Sequence, residues 1–277
     1  MTQQRPIDQV PDGLEMSDEL RGALRNQRVV VLVDFDGTLS SIVDDPDDAE
    51  PVDGARRTLE RLLEHCPVGV ISGRDLDDVR ERVGVDGAWY AGSHGFDIVG
   101  PNGERHEHEG ALEILPSLDA AESALDERLE GVAGVWVERK RFSLSVHVRS
   151  AAPEDVSNVT AVVEEVGAEH RDLRVTEGRQ LRELGPDLEW DKGAALAWLL
   201  EQIEPSGAAF PIFAGDDVTD EDALEVVRDT GLGIVVRSEE RRDAPTFAQV
   251  SVGGPHELCE LLGRFVESFD SGELSPT

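Results

Sequence analysis

The sequence predicts an α/β fold: a doubly wound parallel sheet assembled from both ends of the chain, with a smaller α+β domain inserted between them. Short apolar, β-branched runs alternate with segments of helical period over residues 28–91 and again over 191–236, the pattern of βαβ units and a parallel sheet. Between these stretches the order becomes helix, strand, strand, helix, strand, strand, which fits an antiparallel sheet with helices on one face. On these grounds residues 1–103 and 186–277 form the core and residues 104–185 the insert.

Residues 28–35, RVVVLVDF, are too few for a helix and apolar without alternation, so they read as a strand buried on both faces. Ala55, Leu59, Leu62 and Leu63 recur at helical spacing over 53–65, and 67–72 is a second buried strand. A helix at 75–83 and a strand at 87–91 continue the pattern. In the insert, a helix is expected over 111–130, then a hairpin of strands 134–138 and 141–148 turning at Arg139-Lys140. A helix over 153–166 and strands at 171–176 and 179–184 complete it. The core resumes with helix 191–203, strand 210–214, helix 220–229 and strand 232–236. The Ser/Asp/Pro-rich tail, 267–277, is expected to fray.

A length of 277 residues and an apolar fraction of 39% suit one or two globular domains. No run of about 18 apolar residues appears, so no membrane span is expected. The opening segment is polar and broken by prolines rather than signal-like, and the expected location is the cytoplasm. A net charge of −33 excludes nucleic acid and anionic membrane surfaces as partners. Of 26 basic residues only Lys140 and Lys192 are lysine. Abundant carboxylates with scarce lysine resemble proteins of a high-salt cytoplasm, where charge is screened within a few ångströms. Most acidic residues are therefore surface, and each lysine stands out. Cys66 and Cys259, far apart in apolar stretches, read as small buried hydrophobes.

Asp34-Phe35-Asp36-Gly37-Thr38 stands at the carboxyl end of the most apolar strand, where open α/β sheets place ligands. Asp-x-Asp alone carries nothing here, since the spacing recurs at 45/47, 75/77 and 220/222. A carboxylate at a buried strand end, however, is costly unless paired or metal-bound. Gly37 permits a sharp turn and Thr38 offers a hydroxyl to a phosphate oxygen. Ser72-Gly73-Arg74, between a strand and a helix, offers a hydroxyl and backbone N–H groups to the same anion, although Ser-Gly is also an ordinary helix cap. Gly215-Asp216-Asp217-Val218-Thr219-Asp220 again ends an apolar strand in carboxylates. Such acids repel one another unless a cation intervenes, and an all-oxygen donor set points to Mg²⁺ rather than zinc. Lys192, at a helix start, can neutralise phosphate and Asp34 together. His106 and His108 alternate without a third ligand nearby and read as a solvated hinge strand. The run 44–48 lacks the glycine and final Glu of a calcium loop.

In this order the four motifs resemble those of the haloacid dehalogenase (HAD) superfamily. With Gly92-Ser93-His94-Gly95, His147-Val148-Arg149 and Glu183-Leu184 the chain is similar, over most of 30–265, to the trehalose-6-phosphate phosphatase family. Phe35 and Val148 stand where that family usually has tyrosine, and its proline after Glu183-Leu184 is shifted to Pro186. The resemblance implies a HAD core with a substrate-specificity cap. It makes Asp34 the nucleophile and Asp36 the acid and base. Thr38, Ser72, Gly73 and Lys192 would bind phosphate. Asp34, Asp36 (by its carbonyl) and Asp216 would hold Mg²⁺, with Asp217 or Asp220 in support. Glu138, Lys140 and Glu183 would grip the distal glucose, and Arg74 and Arg149 join the substrate contacts. His94 shapes the cleft floor or is an ordinary loop histidine. The substrate implied is a small sugar phosphate, trehalose 6-phosphate, made by a synthase that would be a separate protein. Alternatives are a sucrose-phosphate or mannosylphosphoglycerate phosphatase, a phosphotransferase or mutase, and a silent sugar-phosphate sensor. The last has no use for a nucleophile.

Overall fold

In a computed structural model of the chain, residues 4–43, 45–178 and 181–274 are described. They form two compact units, one comprising 1–105 and 190–277, the other 106–189.

The first unit opens with β1 (Arg5–Pro6) and α1 (Ser17–Ala23), neither expected from the sequence. There follow β2 (Arg28–Val33), α2 (Ala55–Leu63), β3 (Val68–Ile71), α3 (Leu76–Val83), β4 (Trp89–Gly92) and β5 (Asp97–Val99). The chain passes between the units through β6 (Arg105–Glu107), the segment holding His106. The second unit contains α4 (Glu109–Glu113), α5 (Leu115–Arg128), β7 (Trp136–Arg139), β8 (Leu144–His147), α6 (Pro153–Glu169), β9 (Leu173–Gly178) and β10 (Leu181–Pro186). The first unit resumes with α7 (Lys192–Ile203), β11 (Ala209–Gly215), α8 (Glu221–Val227), β12 (Leu232–Val236), β13 (Pro245–Thr246), β14 (Val250–Val252) and α9 (Pro255–Asp270).

The main sheet runs β14-β12-β11-β2-β3-β4-β5 and is parallel up to β4. Only the β4–β5 pair within this run is antiparallel. From β2 the chain steps outward through β3 and β4, then returns to β2's other side at β11 and continues to β12 and β14. The order therefore reverses beside β2, and a ligand crevice is expected at the carboxyl ends of β2 and β11. Five of the six β2 residues are buried because both sheet faces are covered. Val29, Val31 and Val33 pack with Leu59 and Leu62 of α2 and with Leu261 and Phe265 of α9. Val30 and Leu32 pack on the other side with Leu196 and Leu199 of α7 and Leu224 of α8. This alternation makes the sheet doubly wound, as the sequence predicts.

The expected fraying at 267–277 is incorrect for its first part. Helix α9 extends to Asp270, with Phe269 buried in the core beside Phe265 and Val266, and Leu274 is buried after it. Those apolar residues hold the segment against the sheet despite its polar composition. Residues 275–277 lie outside the described residues. Cys66 is buried and free and Cys259 half-buried and free.

In the second unit the helix expected over 111–130 is two helices meeting at Ile114, with Pro116 in the first turn of α5, where a missing N–H costs nothing. The sheet order is β7-β8-β10-β9, antiparallel throughout. The hairpin turn lies later than expected: Lys140 N donates to Ser143 O (2.9 Å), so the reversal occupies 140–143. Leu144, Val146 and Leu184 pack on Leu118, Leu125, Val159 and Val163 of α5 and α6, covering one sheet face. Of the strand expected at 179–184, residues 179–180 lie outside the described residues. By register Glu138, Ser145, Glu183 and Thr176 form one cross-strand row on the other face.

Candidate active site

The end of β2 is tied to its neighbour by Asp34 N–H donating to Ala214 O (2.9 Å), which brings the Asp34 and Asp216 segments side by side. Asp34 is 3% exposed and Lys192 4%. Lys192 Nζ donates to Asp34 Oδ1 (2.7 Å) and Asp220 Oδ1 (2.6 Å). Asp34, Asp216 and Asp220 each place a carboxylate oxygen within 4.8 Å of the others. Two glycines make the approach possible. A Cβ on Gly37, which has φ +76°, would stand 2.2 Å from Asp216 Oδ2, and one on Gly215 would stand 2.4 Å from Asp220 Cγ. Thr38, fully buried, donates to Asp216 Oδ1 at 3.4 Å. Asp220 Oδ2 accepts the N–H groups of Asp216 (3.0 Å) and Asp217 (2.9 Å), folding the loop around its own carboxylate. Asp217 is exposed and outside the cluster. Of the two supporting residues expected from the sequence, the structure brings Asp220 into the cluster and leaves Asp217 outside it.

Two of the three buried carboxylates, Asp34 and Asp220, share one ammonium. Burial pushes Asp34 up, against the pull of Lys192 and with the push of Asp220 and Asp216. Asp216 is pushed up to about 7, chiefly by burial and then by Asp220, with Lys192 and Arg241 opposing. Burial favours neutral Lys192, but Asp220 and Asp34 outweigh it and hold the ammonium charged. The excess of buried anionic oxygens over cations makes this cluster one that could hold a metal ion.

A pH dependence follows. Because Asp216 binds its proton more tightly folded than unfolded, this group's contribution to stability falls as pH rises from about 4 to about 7. A cation binds the ionised form. A divalent cation that occupies the cluster should therefore raise the unfolding temperature more above pH about 8 than below about 6. Thermal unfolding with and without MgCl₂ checks this, and an increment independent of pH would contradict it.

Asp36 takes a separate position. Its carboxylate is half-exposed and clamped by Arg74, with Nε donating to Oδ2 (2.8 Å) and Nη2 to Oδ1 (2.7 Å). Arg74 also donates to Asp78 Oδ2 (3.0 Å) and Pro46 O (2.8 Å) and lies over the Phe35 ring. The structure thus places Arg74, expected to touch substrate, on Asp36 and on the acidic loop. Ser72 is fully buried and its Oγ accepts from Arg74 N–H (3.1 Å). His94 has φ +56° and its ring lies so close to Gly73 that a Cβ there would stand 2.7 Å from it. His94 N–H donates to Ser72 O (2.9 Å), joining the two loops. These contacts place His94 beside the phosphate-binding candidates Ser72 and Gly73.

In the second unit Glu138 and Glu183 flank the buried Ser145 in one row. His147 Nε2 lies 2.7 Å from Glu138 Oε2, and its ring stacks on that of Trp136 with centroids 4.4 Å apart. Lys140 is half-buried in the β7–β8 turn and Arg149 is exposed just past β8.

The sequence model of the trehalose-phosphatase family matches residues 32–255. The chain belongs to the trehalose-phosphatase family. A trehalose-phosphate phosphatase of Mycobacterium avium is 44% identical over 98% of this chain and 71% of its own length. One of Mycobacterium marinum is 44% identical over 96% of this chain and 68% of that protein. Among solved structures, the C-terminal domain of trehalose-6-phosphate phosphatase from C. albicans superposes with a TM-score of 0.75 at 23% identity, covering 93% of this chain and 98% of that one. A haloacid dehalogenase-like hydrolase from Bacteroides thetaiotaomicron superposes at 0.60 with 15% identity, covering 86% and 99%. The fold of this chain is therefore of the HAD type.

Two groups near these residues carry little signal in the sequence. One is the Trp136–His147 pair, for which the register of β7 on β8 was the missing information. The other is Arg241, whose Nη1 donates to Asp216 O (2.6 Å) from a short helical turn at Glu239–Arg241. Its only signal lay in being an arginine among charged neighbours.

Proposed function

We propose that this protein hydrolyses trehalose 6-phosphate to trehalose and inorganic phosphate, the last step of trehalose biosynthesis, by way of a phosphoryl group carried on Asp34. The observation that carries the mechanism is the burial of Asp34 against Lys192 inside a cluster of carboxylates fitted to a cation. An Asp34 oxygen attacks phosphorus as the bond to the sugar oxygen breaks, and Asp36 donates the proton that oxygen needs. Water then attacks the same phosphorus, Asp36 takes its proton, and the Asp34 oxygen leaves. Lys192, Thr38, Ser72 and the Gly73 N–H hold the phosphoryl oxygens, while Arg74 orients Asp36. Asp34, the Asp36 carbonyl and Asp216 would hold Mg²⁺, with Asp220 in support, and the ion would neutralise charge on the phosphoryl group.

Glu138, Lys140, Arg149 and Glu183 make the cap's contribution by bonding sugar hydroxyls, with His147 bracing Glu138. A site built to hydrogen-bond hydroxyls rejects analogues that lack them. Phosphate release should therefore favour trehalose 6-phosphate over glucose 6-phosphate by about 100-fold or more in kcat/KM. Chelation should abolish it and Mg²⁺ restore it. Glu183→Gln should raise KM about tenfold with a smaller change in kcat. Equal rates on trehalose 6-phosphate, sucrose 6-phosphate and glucose 6-phosphate would overturn the substrate assignment. No helix of the described residues is long and apolar enough to cross a membrane. Composition supports a cytoplasmic enzyme of a high-salt cell.

A further inference from the structure

We propose that Arg241 is a positioning residue that sets the Asp216 loop for the divalent cation before the cation arrives. The inference rests on the cation-site reading above and assigns a role to a residue outside all of the motifs. The peptide groups of Asp216 are held on both sides. Its N–H donates to Asp220 Oδ2 (3.0 Å), and its carbonyl accepts from Arg241 Nη1 (2.6 Å). Arg241 Nη2 donates to Glu221 Oε1 (2.7 Å), and Glu221 Oε2 accepts the N–H of Phe247 (3.0 Å). The Arg241 and Glu221 side chains are 11% and 13% exposed, so the pair is little screened by solvent.

This chain of bonds ties the loop carrying two of the three clustered carboxylates to the segment 239–247 that follows β12. With both peptide groups of Asp216 fixed, its carboxylate stays aimed at Asp34 and Asp220 against their mutual repulsion. Without Arg241 the natural relaxation is for Asp216 to swing away, and cation binding must then reverse that movement. Preorganised ligands avoid such a cost, which appears directly as lost affinity. Lysine in this place keeps the charge but lacks the planar fork whose two nitrogens meet the Asp216 carbonyl and the Glu221 carboxylate in fixed directions.

The test is calorimetric titration of the metal-free full chain with MgCl₂, alongside Asp216→Asn, Arg241→Met and Arg241→Lys. Wild type should bind and Asp216→Asn should not. Arg241→Met should bind about tenfold more weakly with unchanged stoichiometry, and Arg241→Lys should fall between. The Mg²⁺ concentration for half-maximal activity should rise by the same factor, while KM for trehalose 6-phosphate at saturating Mg²⁺ stays fixed. Should Arg241→Met fail to unfold cooperatively, Arg241→Lys carries the measurement alone. Wild-type Mg²⁺ affinity in the folded Arg241 variants, with Asp216→Asn inactive in binding, overturns the proposal and leaves the cation site standing. Absence of binding by wild type removes the cation site itself, and the proposal with it.

Discussion

Asp34→Asn should lower kcat by on the order of 10⁴–10⁶ while the protein stays folded. The substitution keeps the volume and shape of the side chain in a position that is 3% exposed, so packing is retained. It replaces the attacking oxygen with an amide, which cannot form the phosphoryl intermediate. Lys192 keeps its second partner, Asp220, and the cluster loses one of three mutually repelling charges. The unfolding temperature should therefore hold or rise in metal-free buffer. Turnover and thermal unfolding measured on one preparation check both halves. Residual activity within tenfold of wild type would contradict the nucleophile assignment.

Lys192→Met should have the largest effect on stability, a loss of about 3–5 kcal/mol, together with loss of activity. Methionine fits the stem of the lysine but leaves Asp34 and Asp220 buried without the ammonium that each contacts. Breaking one side of a buried ion pair costs more than removing the whole arrangement. Two consequences separate this from loss of packing. The deficit should shrink at acidic pH, where the orphaned carboxylates take up protons and become neutral. Adding Asp34→Asn to Lys192→Met should recover part of the loss, a coupling that independent sites do not show. Denaturant titrations of the two singles and the double measure it, and strict additivity would refute the account.

Much of this was legible in the chain. Asp34 and Asp216 could be placed together because each ends an apolar strand, and a doubly wound sheet puts such ends at one edge. Lys192 was conspicuous for its scarcity, and its contacts with Asp34 and Asp220 explain why a compact, fully buried cation occupies that position. The core strands were found because β-branched runs buried on both faces leave little ambiguity. What escaped was set by side chains meeting across long stretches of sequence. Nothing local distinguishes Arg74 as a clamp on Asp36, 38 residues earlier, from an arginine aimed at substrate. Asp217 and Asp220 are equally acidic, and only the turn geometry sends Asp220 inward. Arg241 meets Asp216 across 25 residues. The end of α9 was misjudged because composition outweighed the period of Phe265, Val266 and Phe269. The break at Ile114 lay in plain view as Pro116, whose effect on a helix start depends on which turn it occupies.

The measurement that decides the account is chemical trapping of the intermediate. Enzyme mixed with trehalose 6-phosphate and Mg²⁺ is quenched in acid within milliseconds and reduced with borohydride, which converts a phosphorylated aspartate to homoserine; peptide mass spectrometry then locates it. Homoserine is expected at residue 34, dependent on substrate and absent in Asp34→Asn. Homoserine at another position, or steady turnover with an unmodified Asp34 at every quench time, would contradict it.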